Sequence, residues 1–141
     1  MASEMKNGQS GITITSVKGE KIVLTSTNTK IKFDTLDAEK VRDKSKAVIA
    51  TVIITGKIKG TDISELKKVF NWSKSFKSDE VYRKLVIEDT IAGTDEITRS
   101  YEFSEMFILN YEEYLDANDA NSEYTLTLRQ REGHLEDIKT Y

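Results

Sequence analysis

The chain has 141 residues, with 21 basic and 24 acidic side chains, a net charge of −3, no proline and no cysteine. The length sets the expectation of one domain, able to bury about two thirds of its unfolded surface. The mixed charge offers no clustered basic face for nucleic-acid sequence recognition, no apolar run approaches the ~18 residues of a membrane span, and the missing cysteines exclude disulfides and thiolate zinc sites.

Residues 1–10 are polar, contain no hydrophobic region and read as a flexible start without a secretory signal. A single β-rich domain is expected over 11–141. Ile12–Thr15 alternates as a strand does, Lys18-Gly19-Glu20 is a turn signal, and Ile22–Leu24 and Ile31–Phe33 are two further short strands. Residues 34–46, DTLDAEKVRDKSK, carry only Leu36, Ala38 and Val41 as apolar groups and read as a surface loop or a short exposed helix.

The middle of the chain holds the strongest pattern. Lys46–Lys57 is rich in β-branched residues, which fit a pleated surface, and carries apolar groups at both parities, so a strand covered on both faces is expected. Asp62 with Glu65 three residues on resembles a capping box and predicts one helix within 62–76. Its apolar stripe is Ile63, Leu66, Val69, Phe70 and Phe76, with Trp72 at the margin. Strands follow at Val81–Glu88, Ile97–Phe103 (after a turn at Gly93), Met106–Tyr111 and Tyr124–Arg129, with a short edge strand near Ile138. The expected fold is a mainly β, antiparallel sandwich or barrel with one flanking helix. Val52, Leu66, Phe70, Leu85, Phe103 and Phe107 are its expected core.

No catalytic, cofactor or metal motif emerges, and no enzymatic activity is expected. His134 is the single histidine and has no cysteine or second histidine to share a metal with. The acidic loop Asp116–Glu123 has Ala120 and Asn121 where a calcium loop of this register needs an acid and a glycine. In Gly56–Thr61 no lysine follows the second glycine, so the phosphate-loop order fails. Asn71-Trp72-Ser73 matches a glycosylation sequon but falls inside the predicted helix.

The order from Lys46 to Arg131, a long strand, a short helix, a strand, a hairpin, a long strand and a final strand, resembles the tail tube proteins of contractile phage tails. It is also similar to the haemolysin-coregulated tube proteins of type VI secretion. Phe103–Tyr114, FSEMFILNYEEY, resembles segments of phage-type tail proteins. The resemblance implies a structural subunit that forms or initiates the inner tube of a phage-like contractile tail or injection system. Copies of the chain would close edge to edge into a hexameric ring. Sheath and baseplate proteins would be its partners, with assembly in the cytoplasm before the subunit becomes part of the particle. It implies further that the 34–46 segment lies at the ring-to-ring contact, with Glu39, Lys40, Arg42 and Asp43 as its charged residues, though the segment has few apolar groups for stacking. Two other classes stand beside this. A small β-barrel module binding a ligand or carbohydrate would need an exposed aromatic cluster, for which Tyr111, Tyr114 and Tyr124 are the candidates. A hydrolase would need a nucleophile with a base, and none is recognisable.

Overall fold

The computed structural model describes residues 10–35, 48–90, 98–118 and 121–141. Eight strands and two helices follow one another: β1 (Ser10–Thr15), β2 (Lys21–Thr25), β3 (Asn28–Thr35), β4 (Val48–Lys57), α1 (Ile63–Ser73), α2 (Ser78–Val81), β5 (Arg83–Thr90), β6 (Thr98–Tyr114), β7 (Glu123–Gln130) and β8 (Lys139–Thr140). All strand pairs are antiparallel, and the order is β2-β1-β5-β6-β7-β4-β3, with β8 added to β6. The sheet does not close on itself, so the fold is sandwich-like and mainly β with one principal helix. The expected turn at Gly93 lies outside the described residues.

The sequence suggests two strands where β6 is one. Its first part pairs with β5 through Met106, and its second part pairs with β7 from Met106 onward. At the changeover Ser104 and Glu105 stand opposite the single residue Lys84, a β-bulge, with Glu105 at φ 53°. The extra residue lets the strand turn from one half-sheet into the other without losing its ladder. Arg131 N–H donates to the Glu105 carbonyl at 2.8 Å, and Gln130 Nε2 donates to the Ser104 carbonyl at 3.0 Å. A second shift leaves Leu109 unpaired between Ile108 and Asn110.

The core follows period two on both halves: Ile12 and Ile14, Ile22 and Leu24, Leu85 and Ile87 on one, with Ala50, Val52 and Ile54, Tyr124, Leu126 and Leu128 on the other. The other face of β4, Ile49 and Ile53, is only half-buried. Phe103 and Met106 are both buried, and the bulge between them is the reason. Strict alternation from Phe103 points Phe107 inward. The inserted residue reverses the parity, so Met106 enters the core. Phe107 turns out to a half-buried site, edge-on to Tyr82 at 6.0 Å between ring centroids.

The helix differs from expectation in length and in rotation. It ends at Ser73, because the Ser73 and Ser75 hydroxyls bond the carbonyls of Phe70 and Asn71 at 2.6 and 3.2 Å. Phe76 lies beyond it and is 87% exposed. The buried face is Leu66, Val69 and Trp72, not the stripe through Phe70, which is 52% exposed with Lys74 Nζ 5.5 Å from its ring centroid. Trp72 is 2% exposed and decides the rotation. Burial of its large indole outweighs that of Phe70, and its N–H finds the Val81 carbonyl at 2.9 Å. Arg83 lies 5.0 Å over the indole and reaches Glu20 Oε1 at 3.0 Å, tying helix, β5 and the β1–β2 turn together. The capping box does not form. Asp62 closes a 3₁₀ turn and makes no side-chain cap, while Glu65 points to another element.

Gly56 sits opposite Tyr124, and a Cβ there would lie 2.7–2.9 Å from that ring. Burial, then the charge of Asp62, pushes the Tyr124 hydroxyl up to about 12.

These placements separate three substitutions. Phe103→Ala should cost about 3–5 kcal/mol. Gly56→Ala should cost about 1–3 kcal/mol through overpacking against Tyr124. Phe70→Ala should change stability by less than about 1 kcal/mol, as surface changes usually do. Urea melts of the three variants read the order directly.

Candidate assembly surface

The backbone presents polar groups wherever a strand lacks a neighbour, and the edges of this open sheet are unlike one another. Among the described residues β2 pairs only with β1, in a register that sets Ile22 and Leu24 against Ile14 and Ile12. Lys21 and Val23, at the alternate positions, turn backbone groups away from β1, toward α1. Val23 N–H donates to Glu65 Oε1 at 2.8 Å, and Lys68 Nζ donates to the Lys21 carbonyl at 3.0 Å. Glu65 and Lys68 are themselves paired at 2.9 Å, one turn apart on α1. Burial alone would raise the Glu65 carboxyl, but the Val23 N–H and the Lys68 ammonium outweigh it and hold it below 4.5. The sequence reading missed this contact. Glu65 at the third position after Asp62 has a local explanation, and nothing local tells that α1 would lie along β2.

The other half-sheet, β6-β7-β4-β3, has two edges whose backbone takes no such side-chain bonds from α1 among the described residues, although α1 also packs on β6. β3 pairs with β4 over its full length, Asn28 through Thr35, and has no second strand neighbour among the described residues. From Phe107 to Tyr114, β6 pairs only with β7 among the described residues. On β3, Phe33 is exposed, as are Lys32 and Asp34, which pair at 3.6 Å. The expected assembly loop springs from this half-sheet, since Thr35 and Val48 are the last ladder partners before it. Glu39, Lys40, Arg42 and Asp43 themselves lie outside the described residues.

A second surface lies beside α1. Ile58, Ile63, Leu66, Lys67, Phe70, Glu113 and Leu115 line an open groove of about 260 Å³. It exists because the helix is rotated toward Trp72, which leaves Ile63 and Phe70 out of the core.

The candidates for other chemistry fall into place on the same frame. His134 Nδ1 lies 2.9 Å from Asp137 Oδ2, and Ser104 Oγ donates to the same oxygen at 3.3 Å. The carboxylate stands between the other two, whereas nucleophile activation needs the imidazole between hydroxyl and carboxylate. The arrangement secures the turn before β8. Of the three candidate tyrosines, Tyr124 is buried, Tyr111 is half-buried with its hydroxyl on Glu113, and only Tyr114 is exposed, so they do not make an aromatic platform. Burial, then that bond to Glu113, pushes the Tyr111 hydroxyl far above its ordinary value. In the acidic loop Asp116 accepts from Asn118 N–H at 3.0 Å, and its own N–H donates to Ser122 Oγ at 2.9 Å, so local turns occupy these groups. Gly56 ends in the β4 ladder and Gly60 opens the 3₁₀ turn.

No protein-family model and no characterised protein sequence matches the chain. Solved structures do match in fold. Hcp1 from Flavobacterium johnsoniae aligns over 92% of this chain and 93% of its own, at 14% identity and a TM-score of 0.50. A chain of the anti-feeding prophage cap, which terminates that particle's tube, aligns over 92% and 87%, at 14% identity and 0.51. A chain of the anti-feeding prophage baseplate aligns over 100% and 97%, at 11% identity and 0.52. The chain therefore shares the fold of Hcp1 and of these cap and baseplate chains.

The Glu65 contact carries a signed pH dependence. Its carboxyl titrates lower when folded, so its stabilisation is full above the ordinary glutamate value and disappears as pH falls through the folded one. Urea midpoints of the natural chain and of Glu65→Gln should differ at pH 7 and converge as pH drops below 4.5. A constant gap across that window would show that the charge is not what holds Val23.

Proposed function

We propose that this chain is a structural subunit of a phage-like contractile tail or injection system, forming or initiating its inner tube through hexameric rings. The observation that carries the reading is the half-sheet β6-β7-β4-β3, which ends in two unlike edges, β3 and the second part of β6. A ring needs such an asymmetric pair, because in a head-to-tail contact one edge of each copy meets the other edge of the next. Backbone ladders then supply the affinity with little demand on side-chain identity, which fits a fold kept at 11–14% identity. The cap and baseplate chains that share the fold support both versions, a repeating tube subunit and an initiating or terminating piece.

In this reading the partners are other copies of the chain, then sheath and baseplate proteins. Assembly takes place in the cytoplasm, and the subunit afterwards remains in the particle. The charged residues Glu39, Lys40, Arg42 and Asp43 govern stacking of one ring on the next and not closure of a ring. Surface charges set the specificity of such a contact and contribute little to folding.

Electron microscopy at high protein concentration, with sheath and baseplate proteins present, should show rings of six or hollow rods. Reversing the charges of Glu39, Lys40, Arg42 and Asp43 together should shorten the rods while leaving the urea midpoint nearly unchanged. A chain that stays monomeric in all these mixtures sinks the tube reading. It would leave a binding module using the groove beside α1.

A further inference from the structure

An edge strand with free amides and carbonyls is a template for another chain, and soluble proteins blunt such edges to avoid wrong pairing. The half-sheet that the ring does not need, β2-β1-β5, ends in β2, and this edge is not free. Two of its outward backbone groups are already bonded in the polarity a strand would use. A carboxylate oxygen takes the place of a neighbour's carbonyl at Val23 N–H, and an ammonium takes the place of a neighbour's amide at the Lys21 carbonyl. The two side chains are fixed to each other at 2.9 Å and are one helical turn apart. They come from a helix anchored one to two turns further on by Trp72, which is buried in the core.

We propose that Glu65 and Lys68 form an edge lock: α1 stands in for a neighbouring strand along β2 and closes that edge to a second copy of this chain, so that copies pair only through β3 and β6. The occupant excluded is another molecule of the same sequence. β2 is short and rich in β-branched residues, with alternating inward Ile22 and Leu24 and an outward Val23 that is 45% exposed. An unlocked β2 would pair with β2 of another copy, an isologous contact that stops at a dimer and takes subunits out of a head-to-tail ring. The lock thus decides between two modes of self-association and adds no affinity to either. The part that concerns β3 and β6 rests on the ring reading above. The closure of β2 does not.

Bonding polarity, not charge alone, makes the lock, and this gives a discriminating variant. Glu65→Lys with Lys68→Glu keeps an ion pair on the helix. However, a lysine cannot accept the Val23 N–H and a glutamate cannot bond the Lys21 carbonyl. The protein lacks cysteine, so Val23→Cys is a clean reporter of β2 meeting β2 under mild oxidation. In the background with both natural residues, disulfide-linked dimer should be minor. In the swapped pair, and in Glu65→Ala with Lys68→Ala, it should rise at least about five-fold. In the natural chain, amide exchange at Val23 should be slowed at least about ten-fold relative to an open amide, and the swap should remove that protection.

An unprotected Val23 amide in the natural chain overturns the proposal without any variant. So does equal cross-linking in locked and swapped backgrounds. If the swap cross-links but the natural chain never forms rings, the lock stands and the ring reading falls. If rings form and the swap cross-links no more than its parent, the lock falls and the ring reading stands.

Discussion

Both halves of this fold hang on a single strand whose backbone must change direction while every residue but Ser104, Glu105 and Leu109 keeps a ladder partner. β6 does this by inserting Glu105 in a left-handed conformation opposite Lys84. A non-glycine residue at positive φ is unfavourable, and it persists here because its carbonyl is bonded by Arg131 N–H while Arg131 Nη1 lies 3.6 Å from the Glu105 carboxylate. The same bend sets which residues of β6 enter the core. It also leaves the second part of β6 with one strand neighbour among the described residues. Folding geometry and the open edge are thus products of one inserted residue.

The strands were legible because period two survives wherever a ladder is regular, as in Ile12 and Ile14, Ile22 and Leu24, or Leu126 and Leu128. The helix was legible in place but not in rotation. A stripe count treats Phe70 and Trp72 as similar apolar residues, and only the indole has an N–H that a buried carbonyl can satisfy. Phe107 was misplaced for a different reason. A bulge carries no local signature when the inserted residue is a glutamate instead of a glycine, and the strand expected at Met106–Tyr111 begins with apolar residues at both parities, so spacing does not tell which of Met106 and Phe107 faces the core. The edge contacts of Glu65 and Lys68 were invisible because they depend on where α1 lies in space, which no spacing along the chain records. The charged residues at 39–43 were singled out by resemblance, and their role remains a proposal about the contact between rings.

An open sheet must solve two opposed problems with the same chemical groups. Its free amides and carbonyls are useful where another subunit should bind and harmful elsewhere. Here the distinction is made with two charged side chains on the principal helix, at little cost to the core. The helix consequently does three kinds of work: Trp72, Val69 and Leu66 anchor it, Glu65 and Lys68 bond β2, and Ile63 and Phe70 remain at the groove.

The pairing pattern also bears on when assembly can begin. β1 meets β5 and β4 meets β7 through partners far apart in sequence, such as Ile12 with Ile87 and Thr55 with Thr125. Such topology places folding in the range of milliseconds to seconds, since long loops close before their contacts reward them. With no proline in the chain, no slow isomerisation adds a later brake. The outer edge of β6 takes shape only when β7, which follows it in the chain, has docked on it. In the proposed ring, pairing through that edge therefore comes after β7 has docked, as a concentration-driven step kinetically separate from folding.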